Sequence, residues 1–138
     1  MPSLYRTIRN IQRAGLRQWY RYTFYIGDAK YGEQVGADQF GNRYFQNYNA
    51  EEEVPGRQRW VDYAQHDNNA TQVPPEWHSW LTHIRKDPPS QDPVVQAVTP
   101  PWKAPYVENM TGTPGAYRPY NTAAPKMNAW VPKTSARA

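Results

Sequence analysis

The sequence contains no cysteine, which excludes disulfides, thiolate metal sites, iron–sulfur ligation and thiol nucleophiles together. Aliphatic ballast is scarce too. Leu, Ile, Val and Phe number 19 of 138 residues, about 14%, which leaves material for only a small core. No apolar run approaches the roughly 18 residues that a membrane-spanning helix needs. His66, His78 and His83 are 12 and 5 residues apart, with no HExxH pair and no carboxylate-rich loop beside them. The glycines fall into neither GxGxxG nor GxxxxGK(S/T) spacing, so no phosphate cradle is visible, and Gly36, Gly41 and Gly56 read as turn residues. Ser3, Ser79, Ser90 and Ser135 sit in no nucleophile elbow. Glu51, Glu52 and Glu53 read as a solvated acidic loop rather than an acid–base pair. The expectation is a chain with no catalytic residues, no metal site and no cofactor of its own.

What the sequence does have is rings: 6 Trp, 11 Tyr and 3 Phe. Disordered chains combine few aromatics with high net charge, whereas this one carries 20 aromatics at a formal net charge of +4. Trp and Tyr supply large amphipathic contact area and are enriched at interfaces. So many rings over so little aliphatic core point to burial against a partner, with a loosely packed aromatic domain as the alternative.

Charge divides the chain into three regions. Residues 1–30 hold six bases and one acid, residues 31–86 five and eight, and residues 87–138 five and three. The expected organisation is a basic amphipathic helix with an aromatic linker over 1–29, a small body over 30–86, and an extended tail over 87–138.

In the first region Leu4, Ile8, Ile11 and Gly15 recur at helical spacing, and Arg6, Arg9, Arg13 and Arg17 recur on the opposite side. The spacing predicts one helix over about residues 3–21, capped by Ser3 and weakened at Gly15. Three readings compete for the arginines: a mitochondrial targeting segment, a docking face for anionic lipid headgroups or an acidic partner, and a solvated face of a packed helix. Trp19, Tyr20, Tyr22, Phe24 and Tyr25 follow without a break, which favours a retained docking helix.

The middle region reads as a small antiparallel sheet. Val35 to Ala37 leads through a turn rich in Asp, Gly and Asn (Asp38, Gly41, Asn42) into Arg43 to Tyr48, and Arg59 to Tyr63 alternates charged with bulky residues as a third strand. Pro74 and Pro75 open a helix expected to reach about Arg85, with Trp77, Trp80, Leu81 and Ile84 as its apolar stripe and Asp87-Pro88-Pro89 as its stop. The fold class is therefore small α+β, with a long tail of little regular structure.

Ten of the fourteen prolines lie beyond residue 86, with no helical or strand period. A free linker is the plain reading of such a tail. Trp102, Tyr106, Tyr117, Tyr120 and Trp130 argue instead for anchors, because a proline-stiffened chain loses less freedom when its rings enter pockets. Interleaved arginine and aromatic residues are also one footprint of nucleic-acid binding. Here the basic charge sits on the N-terminal helix while the sheet region is acidic, the reverse of an RRM or OB platform, and no nucleic-acid partner is expected.

Three blocks taken in order carry a resemblance: Val35 to Phe45, Gly56 to Tyr63, and Pro74 to Leu81. Together they resemble the small accessory-subunit family of mitochondrial NADH:ubiquinone oxidoreductase, complex I, which also contains the mimitin-type assembly factor. The likeness spans about residues 30–138, and Ala37 stands where Thr is expected. Asn109 to Thr122, with Pro125, Lys126 and Trp130, resembles the resident subunit rather than the more charged C-terminus of the assembly factor. The resemblance implies a non-catalytic accessory subunit, peripheral on the matrix side of the mitochondrial inner membrane. Its implied partners are core and accessory subunits of the peripheral arm, among them iron–sulfur and quinone-module subunits, with FMN and the iron–sulfur clusters held by those others. It further implies structural roles for Gly36, Asp38, Gly41, Asn42, Arg59, Trp60, Tyr63, Trp77 and Trp80. The residues read as partner-binding are Arg6, Arg9, Arg13, Arg17, Trp19, Trp102, Tyr106, Tyr117, Tyr120 and Trp130.

Overall fold

The computed structural model describes residues 3–135, so the first two residues of the expected N-terminal segment and the last three of the tail lie outside it. Two helices come first: α1 over Leu4–Ala14 and α2 over Leu16–Tyr25. Ser3 caps α1 by accepting a bond from the Arg6 amide at 3.2 Å. The single expected helix is broken because Gly15 adopts φ 81° and ψ 158°, outside the helical region and open to glycine alone without strain. The helical segment also runs four residues further than expected, to Tyr25.

Strands β1 (Glu33–Ala37), β2 (Arg43–Gln46) and β3 (Arg59–Asp62) form an antiparallel sheet in the order β1-β2-β3. Tyr44 pairs with Val61 and Phe45 with Trp60, so successive residues face opposite layers. β2 stops at Gln46 and β3 at Asp62, short of the expected Tyr48 and Tyr63. A 3₁₀ turn at Ala70–Gln72 leads to α3 (Pro75–Leu81), and α4 (Pro93–Val98) follows.

The molecule has three layers. On one face of the sheet Tyr44 stacks on Trp77, with ring centroids 4.0 Å apart and planes within 5°, and Trp80 meets both edge-on. Val73 completes this buried cluster, and Val35, Val61, Tyr63 and Leu81 pack around it. On the other face Phe45 stacks on Trp60 at 5.9 Å, Tyr22 of α2 meets Phe45 edge-on, and Lys30 lies 4.6 Å above Trp60. Aromatic pairs thus replace the missing aliphatic core; such pairs add about 0.5–1.5 kcal/mol each beyond the area they bury.

Glycine fixes two close approaches in this packing. Gly36 is a strand residue beside a β-bulge, not a turn residue as expected, and a Cβ there would fall 2.8 Å from Trp77. At Gly32 a Cβ would fall 2.5 Å from the Gln46 carbonyl oxygen. Gly41 and Gly56 do occupy turns with positive φ.

Two further expectations are corrected. α3 ends at Leu81 because Thr82 terminates it and His83 turns to φ 61°, which leaves Ile84 exposed instead of on the Trp stripe. The tail contains α4, whose signal is Asp92-Pro93: the Asp92 carboxylate accepts from the Val94 amide at 2.8 Å and Pro93 fills the first turn. No helix among the described residues is long and apolar enough to cross a membrane.

Candidate partner-binding surface

The orientation of α1 and α2 decides what the N-terminal region offers a partner. An amphipathic helix normally packs its apolar stripe inward. Here Arg6, Asn10 and Tyr22 face the body. Arg6 reaches Asp28 at 2.5 Å and Glu53 at 3.9 Å, while Arg9 and Arg13 reach Glu52 at 3.5 and 3.1 Å. The Asn10 amide donates to the Ala29 carbonyl at 2.7 Å, and Arg21 pairs with Asp62 at 2.9 Å. Glu52 and Glu53 are therefore buried counterions, not the solvated loop expected of Glu51–Glu53. Glu53 also accepts from buried Lys30 at 3.1 Å. Burial lowers the Lys30 pKa, and Glu53 opposes that fall.

The side chains left outside include the apolar Leu4 (79% exposed), Tyr5, Ile8, Leu16, Tyr20 and Phe24 (70%), together with polar Gln12 and Thr23. Leu4 and Ile8 on α1, and Leu16, Tyr20 and Phe24 on α2, each follow i, i+4 spacing, with Gln12 and the Gly15 break between the two sets. Arg17 is exposed and Trp19 half-buried. Arg17 joins Tyr20, Arg21, Phe24, Tyr25, Arg43 and His66 around a cleft of about 790 Å³.

The turn between β1 and β2 is held by Asp38. Its carboxylate accepts from the amides of Phe40 and Asn42 at 2.9 and 3.0 Å, from the Asn42 side chain at 3.0 Å and from the Tyr44 hydroxyl at 2.9 Å. Asn42 in turn accepts from the Ala64 amide at 2.9 Å, which ties β3's exit to the turn. Burial, and after it the bond to Asp38, raises the Tyr44 pKa. Burial also raises Tyr63, with the Asp38 charge contributing.

Arg59 is buried with no carboxylate beside it. Its guanidinium donates to the carbonyls of Trp80, Arg85 and Lys86 at 2.5, 2.7 and 2.9 Å and to the Tyr48 hydroxyl at 2.7 and 2.9 Å, and it lies 4.6 Å from the Trp80 ring centre. The planar fork ties the Trp80 carbonyl near the end of α3, which also accepts from the His83 amide at 3.1 Å, to the carbonyls of Arg85 and Lys86 beyond it. It also fixes the point from which the chain sets out across the body.

From there the chain runs as a strap as far as residue 109. Lys103 pairs with Glu76, the Gln39 side chain donates to the Tyr106 carbonyl at 2.7 Å, and the Tyr106 hydroxyl donates to the Thr71 carbonyl at 2.6 Å. Asn69 bonds Glu108 at 3.1 Å, and the Asn109 amide reaches the Thr71 hydroxyl at 3.2 Å. Tyr106 therefore grips this chain's own body. Among the described residues beyond Asn109 the chain has only local turns, and Tyr117, Tyr120 and Trp130, like Trp102 upstream, are 82–85% exposed. Sequence reasoning missed the outward apolar row on α1 and α2; its i, i+4 repeat was legible, but the side it faces was not. Among the described residues, no group of three or more His, Cys, Asp or Glu side chains could hold a metal.

With this surface in view, comparison with known proteins places the chain. The family model described as NADH ubiquinone oxidoreductase subunit NDUFA12 matches residues 32–132. The chain belongs to the NDUFA12 family. It is 38% identical over 122 residues to NADH dehydrogenase (ubiquinone) 1 alpha subcomplex subunit 12 of Dictyostelium discoideum, covering 88% of this chain and 84% of that protein. It is 37% identical over 135 residues to subunit N7BM of the same subcomplex from Yarrowia lipolytica, covering 98% and 97%. A human relative, NADH dehydrogenase (ubiquinone) 1 alpha subcomplex assembly factor 2, is 34% identical over 70 residues, covering 46% of this chain and 41% of the factor. The family match begins just before β1 and runs through the strap into the exposed tail, so it includes the sheet, α3 and the tail's rings, while α1 and α2 lie ahead of it.

Proposed function

We propose that this chain is a non-catalytic accessory subunit of respiratory complex I, peripheral on the matrix side of the mitochondrial inner membrane. It clamps peripheral-arm subunits near the quinone module and supports their assembly. The body positions two gripping surfaces: the outward apolar row of α1 and α2, and the tail beyond Asn109. The observation that carries this reading is the exposure of Trp102, Tyr117, Tyr120 and Trp130 in a chain whose own core is already closed. Isolated soluble proteins rarely leave that much ring surface in water without a partner for it. The outward row, rich in Tyr and Phe, also suits the headgroup boundary of a membrane next to the assembly. FMN and iron–sulfur clusters belong, in this reading, to neighbouring subunits.

The role of resident subunit is favoured over that of assembly factor by extent of likeness. The match to the Yarrowia subunit runs nearly end to end, whereas the match to the human assembly factor covers less than half of this chain. Deleting residues 110–138 leaves the three-layered body intact and is expected to weaken retention in the assembly. The assay is native electrophoresis and quantitative mass spectrometry of the purified complex. Unit stoichiometry of the full-length chain in active enzyme marks a resident subunit. Presence only on intermediates marks an assembly factor, and normal retention of the truncated chain refutes the tail grip.

A further inference from the structure

The strap fixes where the body ends, and the charge on either side of that boundary is unequal. Residues 1–108 contain twelve Lys and Arg and twelve Asp and Glu, so they cancel. The whole formal net charge of +4 lies in residues 109–138, which hold Arg118, Lys126, Lys133 and Arg137 and no acid. Arg118, Lys126 and Lys133 are all exposed, and each has a ring or Met within three residues: Tyr117 and Tyr120, Met127, and Trp130. A division at residue 87 hides this, because Asp87, Asp92 and Glu108 then count with the tail although Asp92 and Glu108 are engaged with the body or strap. Asp92 caps α4 and lies 3.7 Å from Arg85, and Glu108 accepts from Asn69.

We infer that the segment beyond Asn109 seats in an acidic groove on a neighbouring protein subunit, with apolar slots for Tyr117, Tyr120 and Trp130 between the groove's carboxylates. This rests on the tail grip proposed above and adds the chemistry of the partner. The prolines at 114, 119, 125 and 132 stiffen the segment between its local turns. Tyr117 and Tyr120 lie three residues apart in a stretch without turns, and a turn in which the Ala124 amide donates to the Asn121 carbonyl at 3.4 Å separates them from Trp130. An extended backbone carries unpaired amides and carbonyls. A bilayer interior offers them no partners, whereas a protein groove does. Complementary charge sets the register and speeds docking, and the rings supply the buried area.

The test compares two full-length variants in the intact assembly: the charge reversal Arg118→Glu, Lys126→Glu, Lys133→Glu, and the conservative exchange Arg118→Lys, Lys126→Arg, Lys133→Arg. The readout is the fraction of the subunit retained on purified complex across a salt series. The reversal is expected to lower retention about tenfold at physiological ionic strength, with the deficit narrowing as salt rises and screens the repulsion. The conservative exchange is expected to behave as wild type. If the reversal is retained normally while deletion of 110–138 is lost, the rings grip without charge and this inference falls alone. If the deletion is also retained, the tail grip itself falls. Vesicles of phosphatidylserine and phosphatidylcholine provide the third arm. Binding to them that the reversal abolishes, with retention on the complex unchanged, overturns the protein groove in favour of an anionic membrane.

Discussion

Arg59→Lys isolates the contribution of a single guanidinium. The substitution keeps the positive charge and most of the stem length, so any loss reports on the fork. Arg59 is buried and makes five hydrogen bonds, three of them to the carbonyls of Trp80, Arg85 and Lys86. A lysine ammonium cannot span three carbonyls and a tyrosine hydroxyl in one plane. At least one of the part-buried Arg85 and Lys86 carbonyls then loses its side-chain donor, which costs about 1–3 kcal/mol, and the contact with the Trp80 ring weakens by about 0.5–2 kcal/mol. The expected destabilisation is about 2–5 kcal/mol, a large share of the 5–15 kcal/mol typical of a domain.

Thermal unfolding of the purified chain, followed by near-ultraviolet circular dichroism on its buried tryptophans, reads this directly. At about 4 °C per kcal/mol for a chain of this size, Tm falls by about 8–20 °C. Arg57→Lys, three residues from β3's centre and exposed, serves as control and shifts Tm by no more than the roughly 0.5 kcal/mol usual for surface exchanges. A Tm for Arg59→Lys within about 2 °C of wild type refutes the claim that the fork holds the end of α3. The same variant frees the carbonyls at 85 and 86, so protease cleavage between residues 82 and 92 is expected to accelerate.

Gly32→Ala drives a Cβ against the Gln46 carbonyl, a backbone atom that cannot rotate away, and Gly36→Ala drives one against Trp77. Both are expected to destabilise by about 1–3 kcal/mol in urea unfolding, Gly32→Ala more strongly; equal midpoints with wild type sink the packing argument. The pH dependence is alkaline. Tyr22, Tyr44 and Tyr63 have pKa values raised above the unfolded value of 10.0, so the folded state keeps protons that the unfolded state releases. Their stabilising contribution is complete below pH 10 and is lost as pH rises beyond it, by about 1.4 kcal/mol per pH unit for each tyrosine involved. Lys30, lowered from 10.5, acts in the opposite sense below that pH, where rising pH relieves the cost of its buried charge. Tyr44→Phe should flatten the fall in Tm between pH 10 and 11.5, and an unchanged slope removes Tyr44 from the account. Glu53→Gln leaves Lys30 buried without its counterion and is expected to cost about 3–5 kcal/mol, whereas exposed Glu51→Gln is expected to be near neutral. Similar urea midpoints for the two glutamate variants contradict that contrast.

The sheet, its pairing order and the Trp-bearing α3 were legible in the sequence because each rests on local chemistry: turn residues at 38–42, alternation at 59–62, Pro75 at a helix start. The orientation of α1 was not legible. Its apolar row is what a lone helix would bury, but the counterions that turn Arg6, Arg9 and Arg13 inward lie at Asp28, 22 residues from Arg6, and at Glu52 and Glu53, about 40 residues away. No periodicity within the helix reports them. Gly36 reads as a turn glycine until Trp77 is seen lying over it, another long-range fact. In the tail the rings were legible, but Tyr106 bonds Thr71 across 35 residues, and only that contact divides strap from free segment.

This division of labour between charge and apolar surface has a physical consequence for the free chain. The N-terminal helices are docked mainly through Arg6, Arg9, Arg13 and Arg21, whose partners are carboxylates on loops and a strand edge, with Tyr22 as the one large side chain of α2 that is fully buried. Half-exposed pairs such as Arg9 and Arg13 with Glu52 are each worth at most about 1 kcal/mol and weaken with salt. Burying one large apolar side chain of the outward row contributes about 1.5–3 kcal/mol. Covering even two of Leu4, Ile8, Leu16, Tyr20 and Phe24 therefore outweighs the exposed ion pairs that hold the helices in isolation. The helices are thus expected to open in the free chain ahead of the aromatic sheet layers, and in the proposed assembly a partner on the outward apolar side chains would lock them. In that proposal the ion pairs orient these side chains toward the partner, and their burial would supply the stability that those pairs cannot.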